Sequence, residues 1–129
     1  MDGPAETVRA FMAAFIRAWP SADGSSLSHY FSEDAIYVNG PLAPVRGRTA
    51  VVTSLTQMMA LGGEVGGDIV HLVADGPLVM SERVDSWRSD DASASLRVAG
   101  VFEVHEGVIT AWRDYFDGNE FAAQLSADN

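Results

Sequence analysis

The chain has 129 residues, 47% of them hydrophobic and 20% charged, which is the size and composition of one globular domain. Its formal net charge of -10 opposes binding to nucleic acids and anionic membranes, because those partners require clusters of Lys and Arg and the chain has only 8. The absence of cysteine excludes disulfides, thiolate nucleophiles and cysteine-based zinc sites. We therefore expect a single domain over residues 1–129.

No apolar run approaches the length of about 20 residues that a membrane-spanning helix needs, and the N-terminus lacks a basic secretion signal. With the lack of cysteine, this pattern is typical of a soluble protein of a reducing cytoplasm. We expect a cytoplasmic protein that is not exported.

The first half of the chain predicts helices and one strand. Asp2 or Gly3 can cap a helix that Pro20 ends, residues 29–31 form a short helix or turn, and a strand runs over residues 35–39. After an irregular stretch, a further helix covers residues 48–61 and stops at Gly62-Gly63. The buried face of the first helix comprises Val8, Phe11, Met12, Phe15 and Trp19, and that of the later helix Val51, Leu55, Met58 and Met59.

The second half of the chain predicts strands over residues 68–74, 78–88, 94–105 and 108–116. Turn sequences separate them, so they read as consecutive antiparallel hairpins. Helices followed by a meander of strands are typical of the α+β class. We expect the N-terminal helices to pack on a curved antiparallel sheet and to enclose a pocket.

Polar residues occur two positions apart in three of the predicted strands: Tyr37 and Asn39, Arg83 and Asp85, Trp112 and Asp114. Side chains alternate between the faces of a strand, so each pair points to one side. Arg83 and Asp85 share their face with Val79, Ser81 and Trp87, and the opposite face holds Met80, Glu82, Val84, Ser86 and Arg88. Asp114 is predicted to share its face with Val108, Thr110, Trp112 and Phe116.

These pairs indicate an acid–base site. Arg83 can lie between Asp85 and Asp114 and bind both through charge-assisted hydrogen bonds. One positive charge cannot neutralise two carboxylates, so in a dry pocket one carboxyl is expected to hold a proton while the other is ionised. The structural alternative is an ion pair at the sheet edge with Asp114 capping a turn, and the coincidence of three pairs favours catalysis.

Other candidates are weaker. His29, His71 and His105 are isolated, without a second residue at metal-ligand spacing. The glycines from Gly62 to Gly67 follow a helix rather than joining a strand to a helix, which disfavours a phosphate-binding loop. We expect neither a metal nor a cofactor.

The polar pairs resemble a known family. Tyr37-Val38-Asn39 with the Gly40-Pro41 turn, Arg83-Val84-Asp85 and residues 112–117 together are similar to the limonene-1,2-epoxide hydrolase family. The order of helices and strands resembles the wider nuclear-transport-factor-2-like superfamily, which includes SnoaL-like proteins and hosts many activities.

The resemblance implies the one-step, cofactor-free hydrolysis of an epoxide to a vicinal diol. In that reaction Asp114, with Tyr37 and Asn39, would bind and deprotonate a water molecule, and a protonated Asp85 would donate to the epoxide oxygen. Arg83 would orient both acids. The family also implies a homodimer associated through the sheet.

An apolar pocket implies a small apolar epoxide as the substrate. The residues expected to bind it are Trp112, Met58, Met80, Trp87, Leu96, Val98, Phe116 and Phe121.

Three other functions remain open. An epoxide-opening cyclase of the polyketide type would use the same acid and base, with an internal hydroxyl in place of water. A ketosteroid-type isomerase is disfavoured, because it needs an oxyanion hole of neutral donors rather than an arginine between acids. The third is a non-catalytic domain of the same fold that binds a small ligand or dimerises.

Overall fold

The computed structural model describes residues 3–127, and the side chains of residues 3–125. Helix α1 (Pro4–Ala18) comes first, followed by two 3₁₀ helices, Trp19–Ser21 and Gly24–Tyr30. Gly3 is the N-cap residue of α1, and the alternative cap at Asp2 lies outside the described residues. Pro4 occupies the first helical turn, where no backbone N–H is required.

Two further helices and six strands complete the chain. The remaining elements are β1 (Phe31–Asn39), β2 (Val45–Arg46), α2 (Arg48–Met59), β3 (Glu64–Asp75), β4 (Leu78–Arg88), β5 (Ser93–His105), β6 (Val108–Tyr115) and α3 (Gly118–Ala127). Within residues 3–127, none of the helices is long and apolar enough to cross a membrane.

The six strands form one curved mixed sheet in the order β2-β1-β6-β5-β4-β3, which confirms the α+β prediction. The expectation of a purely antiparallel sheet is wrong at one pairing, because β1 and β6 are parallel. Helix α2 carries the chain from β2 at one edge to β3 at the other. The meander from β3 to β6 then returns and places its last strand beside β1 in the same direction.

Strand β3 begins at Glu64, four residues before the predicted start. The predicted strand left out Gly66 and Gly67, and glycine is disfavoured in strands. In the structure they pair with Ser86 and Asp85 of β4 and stay extended. The pairing brings a stretch without side chains beside Asp85.

A β-bulge changes the face of β6. Val104 pairs with Ile109 and Glu103 pairs with Ala111, so Thr110 is an extra residue. Ile109 is consequently buried in the same core as Trp112. The predicted common face of Val108 and Thr110 with Trp112 is therefore wrong, although Trp112 and Asp114 do point the same way.

Helix α3 was not predicted from the sequence. Its start has a local signal, because the Asp117 carboxylate accepts a hydrogen bond from the backbone N–H of Asn119 at 2.9 Å. Glu120 follows Asp117 at the spacing of a capping box. This helix places Phe121 against Trp87 of β4, with ring centroids 6.5 Å apart.

The core lies between the helices and the concave side of the sheet, and the predicted buried faces of α1 and α2 point into it. Phe11 is at its centre with 0% exposure. Its ring meets Trp112 edge-on at 5.1 Å and Phe31 at 5.2 Å between centroids. Phe11 therefore supports the strand that carries Trp112 and Asp114.

Replacing Phe11 with alanine should lower the free energy of unfolding by about 3–5 kcal/mol, because it removes a buried ring and leaves a cavity among rings that cannot fully collapse. Denaturation in urea measures this change. Leu42→Ala, at a side chain that is 62% exposed, is the control and should change stability little. Equal effects of the two substitutions would contradict the central position of Phe11.

Candidate active site

Arg83 lies on an interior strand and is 2% exposed. Its Nε and Nη2 donate to Oδ1 and Oδ2 of Asp85 at 3.0 and 2.9 Å. Its Nη1 and Nη2 donate to Oδ1 and Oδ2 of Asp114 at 3.1 and 2.9 Å. One guanidinium thus holds two carboxylates, each through a two-pronged contact, and this arrangement is called the acid–arginine–acid bridge below.

The alternative of an ion pair at the sheet edge, with Asp114 capping a turn, is wrong on both counts. β4 lies between β3 and β5, so the pair of Arg83 and Asp85 is not at the edge of the sheet. The side chain of Asp114 accepts hydrogen bonds from Arg83 and Trp112 and caps no turn.

The two carboxylates lie in different environments. The side chain of Asp85 is 34% exposed and that of Asp114 only 7%. Burial raises the pKa of Asp114, although the hydrogen bonds from Arg83 and Trp112 oppose that rise. Burial also disfavours the charge of Arg83, but its hydrogen bonds to the two aspartates outweigh burial and raise the pKa of the guanidinium. Arg83 therefore stays charged.

Trp112 supports Asp114 from the same strand. Its indole Nε1 donates to Oδ1 of Asp114 at 2.8 Å, and its ring stacks on that of Tyr37 at a centroid distance of 4.3 Å. Three N–H groups, two from Arg83 and one from Trp112, therefore point at the Asp114 carboxylate. Such donors favour the ionised form of an acid.

The parallel pairing of β1 and β6 brings Tyr37 beside Trp112 and Asn39 beside Asp114. Burial, and then the nearby Asp114 carboxylate, raise the pKa of Tyr37, so its hydroxyl is neutral. Within the described part of the chain, neither the Tyr37 hydroxyl nor the Asn39 amide has a hydrogen-bond partner. Both lie in the wall of a cavity and can bind a ligand there.

The cavity has a volume of about 320 Å³, at the lower end of the range for small-molecule sites. Its charged groups are those of the bridge, and apolar side chains form most of the rest of its wall. The predicted substrate-binding residues in the wall are Met58, Trp87, Leu96, Val98, Trp112, Phe116 and Phe121. Their role in binding stays a prediction.

The prediction that Met80 binds the substrate is wrong. It is 49% exposed and lies on the outer face of the sheet, where the alternation of β4 puts it opposite Arg83. Sequence reasoning missed the part of the wall that comes from α1 and from the 3₁₀ helix directly after it. Its residues are Met12, Phe15, Ile16 and Trp19. The apolar spacing of Met12, Phe15 and Trp19 predicted burial but could not distinguish a core residue from a residue of a cavity wall, and Ile16 was not on the predicted face.

The segment after α2 contributes Leu61 to the wall, and the two glycines that follow it contact tryptophans of the wall. The carbonyl oxygen of Gly62 accepts hydrogen bonds from the indole N–H groups of Trp19 and Trp87, both at 2.9 Å. Gly63 has a φ of +71°, and a Cβ there would lie 2.8 Å from the Trp87 Nε1. Two tryptophans thus fix the end of α2 beside the cavity.

In residues 3–127, no group of three His, Asp or Glu side chains could hold a metal ion. His71 instead pairs with Glu82 on the exposed surface at 2.8 Å.

A curved mixed sheet with helices enclosing an apolar cavity is the architecture of the nuclear-transport-factor-2-like, SnoaL-like fold. A putative SnoaL-like polyketide cyclase from Shewanella putrefaciens superposes with a TM-score of 0.82 over 98% of this chain and 88% of that one, at 15% identity. At that identity the likeness establishes the fold alone.

The family model for the limonene-1,2-epoxide hydrolase catalytic domain matches residues 3–126. Epoxide hydrolase EphG of Mycobacterium tuberculosis is 36% identical over 106 residues, which are 81% of this chain and 69% of that protein. The structure of an M. tuberculosis LEH-like epoxide hydrolase superposes with a TM-score of 0.73 at 31% identity, over 92% of this chain and 89% of the other. The chain belongs to the limonene-1,2-epoxide hydrolase family.

Substituting Trp112 by phenylalanine should raise the pKa of Asp114. The ring that stacks on Tyr37 is kept, but the N–H that stabilises the ionised carboxylate is lost. Titration of the aspartate carboxyl carbons by ¹³C NMR measures the change. Trp87→Phe is the matched control, since that indole N–H binds Gly62. A pKa that falls or stays constant in Trp112→Phe would contradict the contribution of this hydrogen bond.

Proposed function

We propose that this protein is a cofactor-independent epoxide hydrolase that adds water to a small apolar epoxide and gives a vicinal diol in one step. The observation that carries the proposal is the acid–arginine–acid bridge in the wall of a mostly apolar cavity. Opening an epoxide requires a base for the incoming water and an acid for the leaving oxygen, and the bridge supplies two carboxylates in adjacent positions.

Asp114 is the general base. Tyr37 and Asn39 are next to it across the β1–β6 pairing and have free polar groups, so the three side chains can hold a water molecule. The raised pKa of Asp114 makes its carboxylate a stronger proton acceptor than an ordinary aspartate.

Asp85 is the general acid. Arg83 occupies a lone pair on each of its oxygens, and the remaining lone pairs can carry a proton. The side chain of Asp85 is more exposed than that of Asp114 and lies in the cavity wall, where an epoxide oxygen can reach it.

In the reaction, the water oxygen bonds to an epoxide carbon as the ring carbon–oxygen bond breaks. The water proton moves to Asp114, and the Asp85 proton moves to the leaving oxygen, which becomes the second hydroxyl. The two aspartates therefore share one proton before and after the reaction, on Asp85 at the start and on Asp114 at the end. Proton exchange with solvent restores the starting state. Arg83 stays charged throughout and keeps the two carboxyl groups oriented toward the cavity.

The apolar wall selects the rest of the substrate. Trp87, Leu96, Val98 and Phe121 offer no hydrogen bond that a sugar or a carboxylate would need within the cavity. The substrate is therefore a neutral hydrocarbon-like epoxide of a size that fits about 320 Å³.

Incubation with a panel of apolar epoxides in ¹⁸O-labelled water should give vicinal diols that contain one labelled oxygen. Mass spectrometry of the products measures the label, and chiral chromatography narrows the substrate. Absence of diol from every cyclic and acyclic epoxide in the panel would refute the hydrolase proposal. Retention of a ligand without chemical change would support a binding module, and ring closure by an internal hydroxyl would support a cyclase.

Asp85→Asn and Asp114→Asn should each reduce kcat by at least about 100-fold, because each removes one proton-transfer group. Both amides keep the shape of the side chain, and circular dichroism checks that the fold persists. Asp68→Asn is the control, since Asp68 is exposed on β3. Full activity in either bridge variant would disprove the role given to that aspartate.

A further inference from the structure

Gly100 lies in β5 directly between the two strands that carry the bridge. Across the sheet it pairs with Ser81 of β4 on one side and with Asp114 of β6 on the other. Arg83 is two residues from Ser81 in β4, so its side chain must cross β5 to reach Asp114. Gly100 is buried beneath that crossing.

A side chain at this position would collide with the bridge. A Cβ on Gly100 would lie 2.6 Å from Nη1 of Arg83, 2.9 Å from Oδ1 of Asp114 and 3.0 Å from Oγ of Ser81. The first two atoms form the 3.1 Å hydrogen bond between Arg83 and Asp114. An added methyl group would therefore fill the space that this contact occupies.

The backbone gives no other reason for glycine here. The φ of Gly100 is outside the left-handed region, unlike that of Gly107 in the turn that follows β5. Glycine in a strand interior is unfavourable by roughly 0.5–1 kcal/mol relative to alanine. A residue with a side chain would thus be expected at position 100 if the bridge did not need the space.

We propose that Gly100 is a positioning residue for epoxide opening. Because it has no side chain, it leaves open a passage across β5 through which Arg83 reaches Asp114, and Arg83 can then link the base to the acid. This inference rests on the proposed function for its kinetic consequences. The two-pronged contact between Arg83 and Asp85 lies within β4 and does not depend on the passage. A side chain at position 100 should therefore detach Asp114 from Arg83 while Asp85 keeps its partner.

Gly100→Ala should lower kcat on the order of 100-fold, as expected for a catalytic group displaced by about 1 Å. The KM for an apolar epoxide should change little, because the apolar wall is intact. Asp114 loses the partner that opposes its protonation, so the acidic limb of the pH–rate profile should move to higher pH. Ala99→Ser, one residue along β5 and exposed, adds one atom on the outer face and should leave all three quantities unchanged.

A merely structural role for Gly100 predicts a different result. Gly100→Ala would then lower the melting temperature and the active fraction, and the pH–rate profile of the remaining enzyme would keep its position. That outcome would overturn the proposal.

A thermal double-mutant cycle with Arg83→Lys tests the same contact without any substrate. Lysine lacks the branched guanidinium that approaches position 100, so Gly100→Ala should lower the melting temperature less in the Arg83→Lys background than in the native chain. Equal losses in both backgrounds would show that Gly100 acts independently of Arg83, and would overturn the proposal.

Titration of Asp114 by ¹³C NMR separates this inference from the proposed function. In Gly100→Ala the pKa of Asp114 should rise even if no epoxide is hydrolysed. A rise without epoxide turnover in the native protein would refute the hydrolase and keep the positioning role. Turnover in the native protein with no pKa change in Gly100→Ala would refute the positioning role alone.

Discussion

The rest of this molecule depends on a buried arginine that is shared by two aspartates. A guanidinium at 2% exposure is unstable unless its charge is compensated and its N–H groups are bonded. Asp85 and Asp114 provide both, yet together they carry one negative charge more than Arg83 neutralises. The excess charge in a cavity of low polarity favours retention of one proton by the pair. The same imbalance that makes the cluster costly to bury makes it able to transfer protons.

The fold satisfies this cluster from three directions. β4 supplies Arg83 and Asp85, and β6 supplies Asp114. β5 lies between these strands and has glycine at position 100, where the bridge crosses it. Trp112 connects the cluster to the hydrophobic core, because its N–H binds Asp114 while its ring packs on Phe11. Packing in the core and the orientation of the base are therefore not independent.

Sequence patterns predicted the parts of this arrangement that are local. Alternation along β4 put Arg83 and Asp85 on one face, and helical spacing identified the buried faces of α1 and α2. What remained hidden depends on partners distant in sequence. The bulge at Thr110 changes which residues of β6 face the core, and it depends on pairing with β5. The parallel pairing of β1 with β6 follows from the crossover through α2. No sequence periodicity indicates that position 100 must lack a side chain. Met80 lies on the face opposite Arg83, as the alternation along β4 predicts, and so cannot line the cavity.

All three tryptophans of the chain, Trp19, Trp87 and Trp112, lie in the wall of the cavity that contains the acid–arginine–acid bridge. Two of them share the carbonyl of Gly62, and the third binds the buried carboxylate of Asp114. All of the tryptophan fluorescence of the described residues therefore originates at the site. Tryptophan emission, excited selectively over that of tyrosine, therefore reports whether the cavity is occupied, with no dye attached and no turnover required.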